Sequence, residues 1–329
     1  MTSKKYFLWV LGLAIGLPLA WVTYNLCIND FGLWYSKDNC YINKYERASK
    51  YLLTKRYIPE NFNGLLIGPS YSDNIYTQPI KDFKVYNLSI GGGNATELKL
   101  LVESAMNTGK FKILIVCMSP FITKDHGIKS NQLTQTTYID TLCGELSFKI
   151  FCSKIAIQLN SESHAEFNNS QWGTTNFQLK AWKKTKFASE NLPYLDLPSE
   201  YGSHTDFVDT RAVDQLKELF ELARAKNINI IAYYYPIYKG LFNKQYGSQG
   251  WKDYKNQVHH VFTEKDLVFD MNASEYREFT RNIDNYSDGH LSESGAHVFS
   301  KLLASKVQQW RKQHLHFQDL ANSTIDKSH

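Results

Sequence analysis

Five short, dense apolar runs, each closed by turn-forming or polar residues, constrain this chain more than any other feature. They are the cores of GLLIGPS, KVYNLSIGGG, KFKILIVCMSPF, NINIIAYYYPIY and KDLVFDMN. Runs that are apolar on both faces suit parallel strands covered by helices, because an antiparallel strand with one wet face would alternate. Between and after them, ATELKLLVESAMNTG, TRAVDQLKELFELARAKNI and SESGAHVFSKLLASKVQQWRKQ carry apolar residues at helical spacing. Strand and helix patterns in alternation predict an α/β fold: a doubly wound, mostly parallel sheet with right-handed crossovers, in three layers α/β/α. In such sheets ligands gather beyond the carboxyl ends of the strands.

The N-terminus has a different character. From Tyr6 to Asn29, YFLWVLGLAIGLPLAWVTYNLCIN contains no charged residue, and about 20 apolar residues are what a helix needs to cross a bilayer core. Lys4 and Lys5 precede the run, and Asp30, Lys37 and Asp38 follow it, which predicts a cytoplasmic N-terminus (1–5) and a main domain outside, periplasmic or extracellular. Residues 6–29 therefore read as one transmembrane signal anchor, with Trp21 and Tyr24 in an interfacial belt. A cleaved signal peptide is the alternative, against which stand the length of the run and the lack of a small-residue cleavage site. Residues 30–59 read as a juxtamembrane segment, 60–312 as the catalytic-type domain, and 313–329 as a C-terminal tail.

Lys and Arg number 37 against 32 Asp and Glu, a net charge of +5 without basic stripes, so no nucleic-acid partner is implied. The five cysteines include Cys117 inside an apolar run and leave room for one disulfide among Cys40, Cys143 and Cys152. None is spaced as a zinc ligand set, and His259 with His260, or His314 with His316, do not converge on one ion; no metal and no cofactor is expected. From about 123 to 209 the alternation breaks. TYIDTLCGELSFKIFCSKIAIQL reads as helix, and a polar stretch with Trp172, Phe177, Trp182, Phe187 and Tyr194 follows. A connection this long is functional or disordered in most domains, so it reads as an insertion at the sheet edge whose aromatics pack a lid or stack on sugar rings.

The strand ends carry chemistry. The first delivers Ser70 and Ser72, the second Gly91, Gly92, Gly93 and Asn94, and NYSDGHLSESGA before the closing helix delivers Asp288 and His290. A serine hydroxyl becomes a nucleophile when a histidine takes its proton, and a carboxylate holds and charge-stabilises that histidine. A glycine turn offers backbone N–H groups to a developing oxyanion. The roles follow: Ser70 as nucleophile, His290 as general base and then acid, Asp288 as orienter, with Ser72 as the alternative nucleophile or a residue capping the helix after the strand.

In IGPS, NLSIGGGNAT and DGHLSESGAH the chain resembles the SGNH, or GDSL-type, hydrolase superfamily. The D-x-H spacing and the anchor look most like its membrane-anchored envelope branch of alginate O-acetylation and teichoic-acid D-alanylation proteins. The resemblance covers about 60 to 312 and leaves the insertion aside. It implies an oxyanion hole from the backbone of Ser70 and Gly92, and acyl-ester chemistry on a cell-envelope polysaccharide. Two residues depart from the pattern. Pro69 stands before the serine in place of a polar residue, and IVCMSPF lacks the asparagine expected in the third block, which leaves Asn94 as a stand-in donor. The expectation is thus a hydrolase or O-acyltransferase, with an envelope glycan or acyl donor as substrate. The alternative is a non-catalytic partner in a polysaccharide modification or export complex, beside a multi-span membrane acyltransferase.

Overall fold

A computed structural model describes residues 3–34, 40–41, 45–124, 127, 133, 136–159, 168–169, 171–175, 208–287 and 289–325. Five strands form one parallel sheet: β1 (Gly64–Ile67), β2 (Val85–Asn87), β3 (Ile113–Met118), β4 (Asn229–Tyr234) and β5 (Leu267–Asp270), in the order β2-β1-β3-β4-β5. The helices used below are α1 (Ser3–Ile28), α2 (Glu46–Leu53), α3 (Ser70–Asp73), α4 (Ala95–Met106), α5 (Tyr138–Leu142), α6 (Glu145–Leu159), α7 (Thr210–Ala225), α8 (Gly247–Val258) and α9 (Glu293–Ile325). The doubly wound α/β fold expected from the alternation is the fold the chain has.

The five apolar runs are the five strands. Every residue of β1, β2 and β3 is buried, and β4 is buried after its first residue; each such Leu or Ile side chain is worth about 1.5–3 kcal/mol of burial. Leu66 sits opposite both Asn87 and Ile115, so β1 lies between β2 and β3. Chain order reverses there, because β1 leads outward to β2 and the chain then returns past β1 to β3. That reversal opens a crevice at the carboxyl end of β1. With right-handed crossovers, α4 and α7 fall on one face, and they pack together. On the other face α9 meets the β1–β2 connection. Tyr76 stacks on His297 at 4.2 Å, its backbone N–H donates to Ser300 Oγ at 2.9 Å, and Arg311 pairs with Asp82.

α2, within the segment 30–59 read as juxtamembrane, packs into the core, where its Ala48, Leu52 and Leu53 are buried. α9 continues through residue 313 to Ile325. The single helix expected in the insertion is two, α5 and α6, broken at Cys143 and Gly144; α5 begins with a capping box between Thr137 and Asp140. Cys143 and Cys152 are free thiols, as are Cys27 and Cys117. Trp172 packs edge-on against Phe62 at 5.3 Å and its carbonyl accepts from Asn87 N–H at 2.8 Å, so this part of the insertion seals the β2 edge. Phe177, Trp182, Phe187 and Tyr194 lie outside the described residues.

α1 is long and apolar enough to cross a membrane, and none of its most apolar window is buried. It is continuous through Pro18 and ends where Asn29 turns to φ +50 and its side chain accepts the Trp34 N–H at 3.2 Å. Asn is one of the few residues that enters this left-handed region at low cost.

Candidate active site

Ser70 is lifted out of the sheet by the turn that ends β1. Gly68 has no space for a side chain: a Cβ there would stand 2.2 Å from Ser72 Oγ and 2.6 Å from Cys117 Cβ. Pro69 is extended, with φ −74° and ψ −166°, and α3 starts at Ser70. Proline suits this position, because its missing N–H costs nothing just before a helix.

His290 arrives from the other end of the chain on a small antiparallel hairpin, where Ser287 pairs with His290 and Tyr286 with Leu291. Gly289 turns at φ +76, the glycine demanded by a two-residue hairpin loop. Ser70 Oγ and His290 Nε2 are 2.9 Å apart across 220 positions of sequence. Asp288 lies outside the described residues. The hairpin is pinned from below by Asn74, whose Nδ2 donates to the Leu291 carbonyl at 2.9 Å.

Two tyrosines that the sequence reading did not single out hold the imidazole. Tyr71 packs on His290 with ring centroids 4.8 Å apart, and Tyr235 stacks on Tyr71 at 4.4 Å. Tyr235 also donates through its hydroxyl to the Gly289 carbonyl at 3.4 Å. Burial pushes the Tyr235 hydroxyl well above its ordinary range, so it stays a neutral donor. The sequence signal was the aromatic directly after Ser70 and the run of three tyrosines closing β4, which reads equally as strand.

Ser72 is turned away from this site. It is fully buried; its Oγ donates to Ser89 Oγ at 2.8 Å and lies 3.1 Å from the Pro69 carbonyl, so it ties the turn to the next loop and does not cap α3. Asn87 completes that tie. Its Nδ2 reaches the carbonyls of Ser72, Asp73 and Ile75 while its Oδ1 accepts from Ser89 N–H. Beneath them Cys117 is pushed up to about 12, chiefly by burial, and is a packing thiol rather than a nucleophile.

The glycine loop runs along the end of β1, with Leu88 N–H on the Leu66 carbonyl at 2.7 Å and Ile90 N–H on Gly68 at 3.1 Å. Gly92 takes φ +63. Beside it, Gly91 N–H donates to Glu46 Oε2 at 2.9 Å and Gly93 N–H to the Ile90 carbonyl at 2.9 Å. Asn94 is hydrogen-bonded as well. Its Oδ1 accepts from Glu97 N–H as the N-cap of α4, and its Nδ2 donates to the Gly127 carbonyl at 2.7 Å. Its amide braces the loop against the start of α4. In the third block Ser119 is buried with an unpartnered hydroxyl.

A buried charge cluster supports the loop from α2. Lys50 is fully buried, pairs with Glu46 at 3.1 Å and donates to the Ser89 carbonyl; Arg47 clasps Glu97 through two bonds of 3.1 Å and the Gly91 carbonyl at 2.9 Å. Next to it burial, and then Glu46, hold the Asp73 carboxyl well above the usual range, against the pull of Lys50. Among the described residues no three His, Cys, Asp or Glu side chains are grouped to hold a metal ion. The exposed His259 and His260 stand on the surface.

No family model matches the chain, and no curated protein matches it. Among solved structures it is similar to one from Streptococcus pneumonia described, provisionally, as a platelet activating factor, with 11% identity and a TM-score of 0.42 over 80% of this chain and 91% of that one. At that TM-score the likeness carries no conclusion about this chain.

Proposed function

We propose that this chain is a membrane-anchored serine hydrolase or O-acyltransferase that acts on acyl esters of a cell-envelope polysaccharide. The observation that carries the proposal is the 2.9 Å approach of Ser70 Oγ to His290 Nε2 at the carboxyl end of β1, a nucleophile and base within hydrogen-bond reach at the crevice where such sheets bind ligands. In the reaction Ser70 Oγ attacks the ester carbonyl carbon and its proton passes to His290 Nε2. The tetrahedral oxyanion then collapses, the C–O bond to the alcohol breaks, and His290 returns the proton to the departing oxygen. The acyl group remains on Ser70 until water or a sugar hydroxyl, deprotonated by the same imidazole, takes it. Asp288 is assigned to orient His290 and stabilise the imidazolium, and the backbone N–H groups of Ser70 and Gly92 to receive the oxyanion. The envelope polymer as substrate follows from reading α1 as an anchor that holds the domain outside the cytoplasm.

A second reading is favoured by the third block, where Ser119 stands in place of the oxyanion asparagine: a non-catalytic partner that holds a polysaccharide for a multi-span acyltransferase. Incubating the full chain in detergent with a fluorophosphonate probe separates the two. Covalent labelling on Ser70, lost in Ser70→Ala, is the expected outcome for the enzyme; a folded chain that takes up no probe sinks it and leaves the partner.

A further inference from the structure

The α5–α6 hairpin presents apolar side chains to the outside. Ile139, Phe148 and Ile155 are 68%, 59% and 39% exposed. They do not project at random, because the hairpin is fastened to the end of α1. Trp21 Nε1 donates to Ser147 Oγ at 3.2 Å, and Asn25 Nδ2 donates to the Leu142 carbonyl at 2.8 Å. The Trp21 ring meets Phe151 edge-on at 5.2 Å and Phe148 at 6.4 Å, Tyr24 meets Phe151 at 5.9 Å, and Lys154 pairs with Asp30.

Helix geometry sets the depth of these contacts. A bilayer core takes about 20 residues at a rise of about 1.5 Å each, and counting from Tyr6, the first residue of the uncharged run, that length is used up near Asn25. Trp21 and Tyr24 therefore stand where interfacial aromatics settle, and Phe148 and Phe151, which touch their rings, share that level. Lys149 lies beside Phe148 with more than half of its side chain exposed and pairs with Glu145 one turn earlier.

We propose that α5 and α6 lie in the bilayer interface, with Ile139, Phe148 and Ile155 inserted at the boundary of headgroups and acyl chains, in the leaflet that Trp21 occupies. The proposal rests on α1 being a retained span. A lipid surface is the occupant because Phe148, itself exposed, meets Trp21 in the aromatic belt of α1. The membrane would then be held by a second element, and the domain's attitude to it fixed.

The test is photolabelling of the full chain reconstituted in phosphatidylcholine–phosphatidylglycerol vesicles that carry a diazirine on the lipid acyl chain near the headgroup, with adducts mapped by mass spectrometry. Adducts are expected on α1 and within residues 138–155. The exposed-site triple variant Ile139→Ser, Phe148→Ser, Ile155→Ser should lose the second set while keeping the first and remaining in the vesicle fraction. Adducts on α1 without any in 138–155 overturn the proposal and leave the anchor standing. Absence of both overturns the anchor reading together with it. Cross-links from 138–155 to a second copy, or to another protein when the same lipid probe is used in native membranes, in place of lipid adducts, would assign the surface to a protein partner and also overturn it.

Discussion

Ser70 and Ser72 lie two positions apart, yet their hydroxyls meet different surroundings: His290 at 2.9 Å for one, Ser89 in the closed interior for the other. Their substitutions should separate accordingly. His290→Ala and Asp288→Asn are each expected to lower acyl turnover by several orders of magnitude, and the double variant should be no slower than His290→Ala, since triad members act as a unit. Ser72→Ala should leave turnover near that of the unmodified chain and cost about 1 kcal/mol of stability for the lost buried hydrogen bond. Short-chain aryl ester kinetics and urea unfolding on the same preparations check both halves; a Ser72→Ala variant as slow as His290→Ala would move the nucleophile to residue 72. At this scale the sequence led, from a serine after a strand and a histidine before a helix, to the two side chains that stand 2.9 Å apart. Tyr71 and Tyr235 escaped it because an aromatic residue that holds an imidazole is spelled the same way as one that fills a core. Asn94 is ambiguous for the converse reason: an amide beside a glycine loop suits an oxyanion as well as it suits a helix cap.

Among the elements, α2 changes the account most. Its charged residues Glu46, Arg47 and Lys50 were not singled out in the sequence, yet each ends on the glycine loop or on the helix after it. Local pattern cannot show this, since the partners are 39 to 50 positions away. Lys50→Ala is expected to destabilise the chain by about 3–5 kcal/mol, the cost of leaving buried acidic groups without their cation. Lys50→Met combined with Glu46→Gln should recover a substantial part, as removing both charges leaves no unpaired ion. Chemical unfolding followed by circular dichroism measures the two; equal losses would mean that the ion pair contributes nothing beyond packing. The central strands were legible because burial on both faces favours apolar residues, whereas the order of the strands in the sheet was not read from the sequence. The break between α5 and α6 was not legible, because Cys143 and Gly144 interrupt an apolar pattern that continues on either side.

For the molecule as a whole, the prediction concerns topology. The mature chain should retain Lys4 and Lys5, resist extraction by alkaline carbonate, and expose its domain to protease only from the non-cytoplasmic side; recovery of a soluble form starting beyond Cys27 would refute the anchor. Length and the lack of charge made a long apolar helix readable here, while nothing in them foretold that it would be built into the domain. Asn25 and Asn29 are buried where α1 leaves off, and Phe31 and Leu33 pass directly into the core. A bead on a string samples every orientation; this joint removes that freedom. In a bilayer the domain would turn only about the axis of its helix, like a vane on a spindle, so Ser70 would sweep a single circle at constant height. If the substrate is an envelope polymer, as proposed above, its esters would meet that circle in succession, and the spacing of modified sugars would be governed by how far the polymer advances between turnovers, not by any search made by the protein.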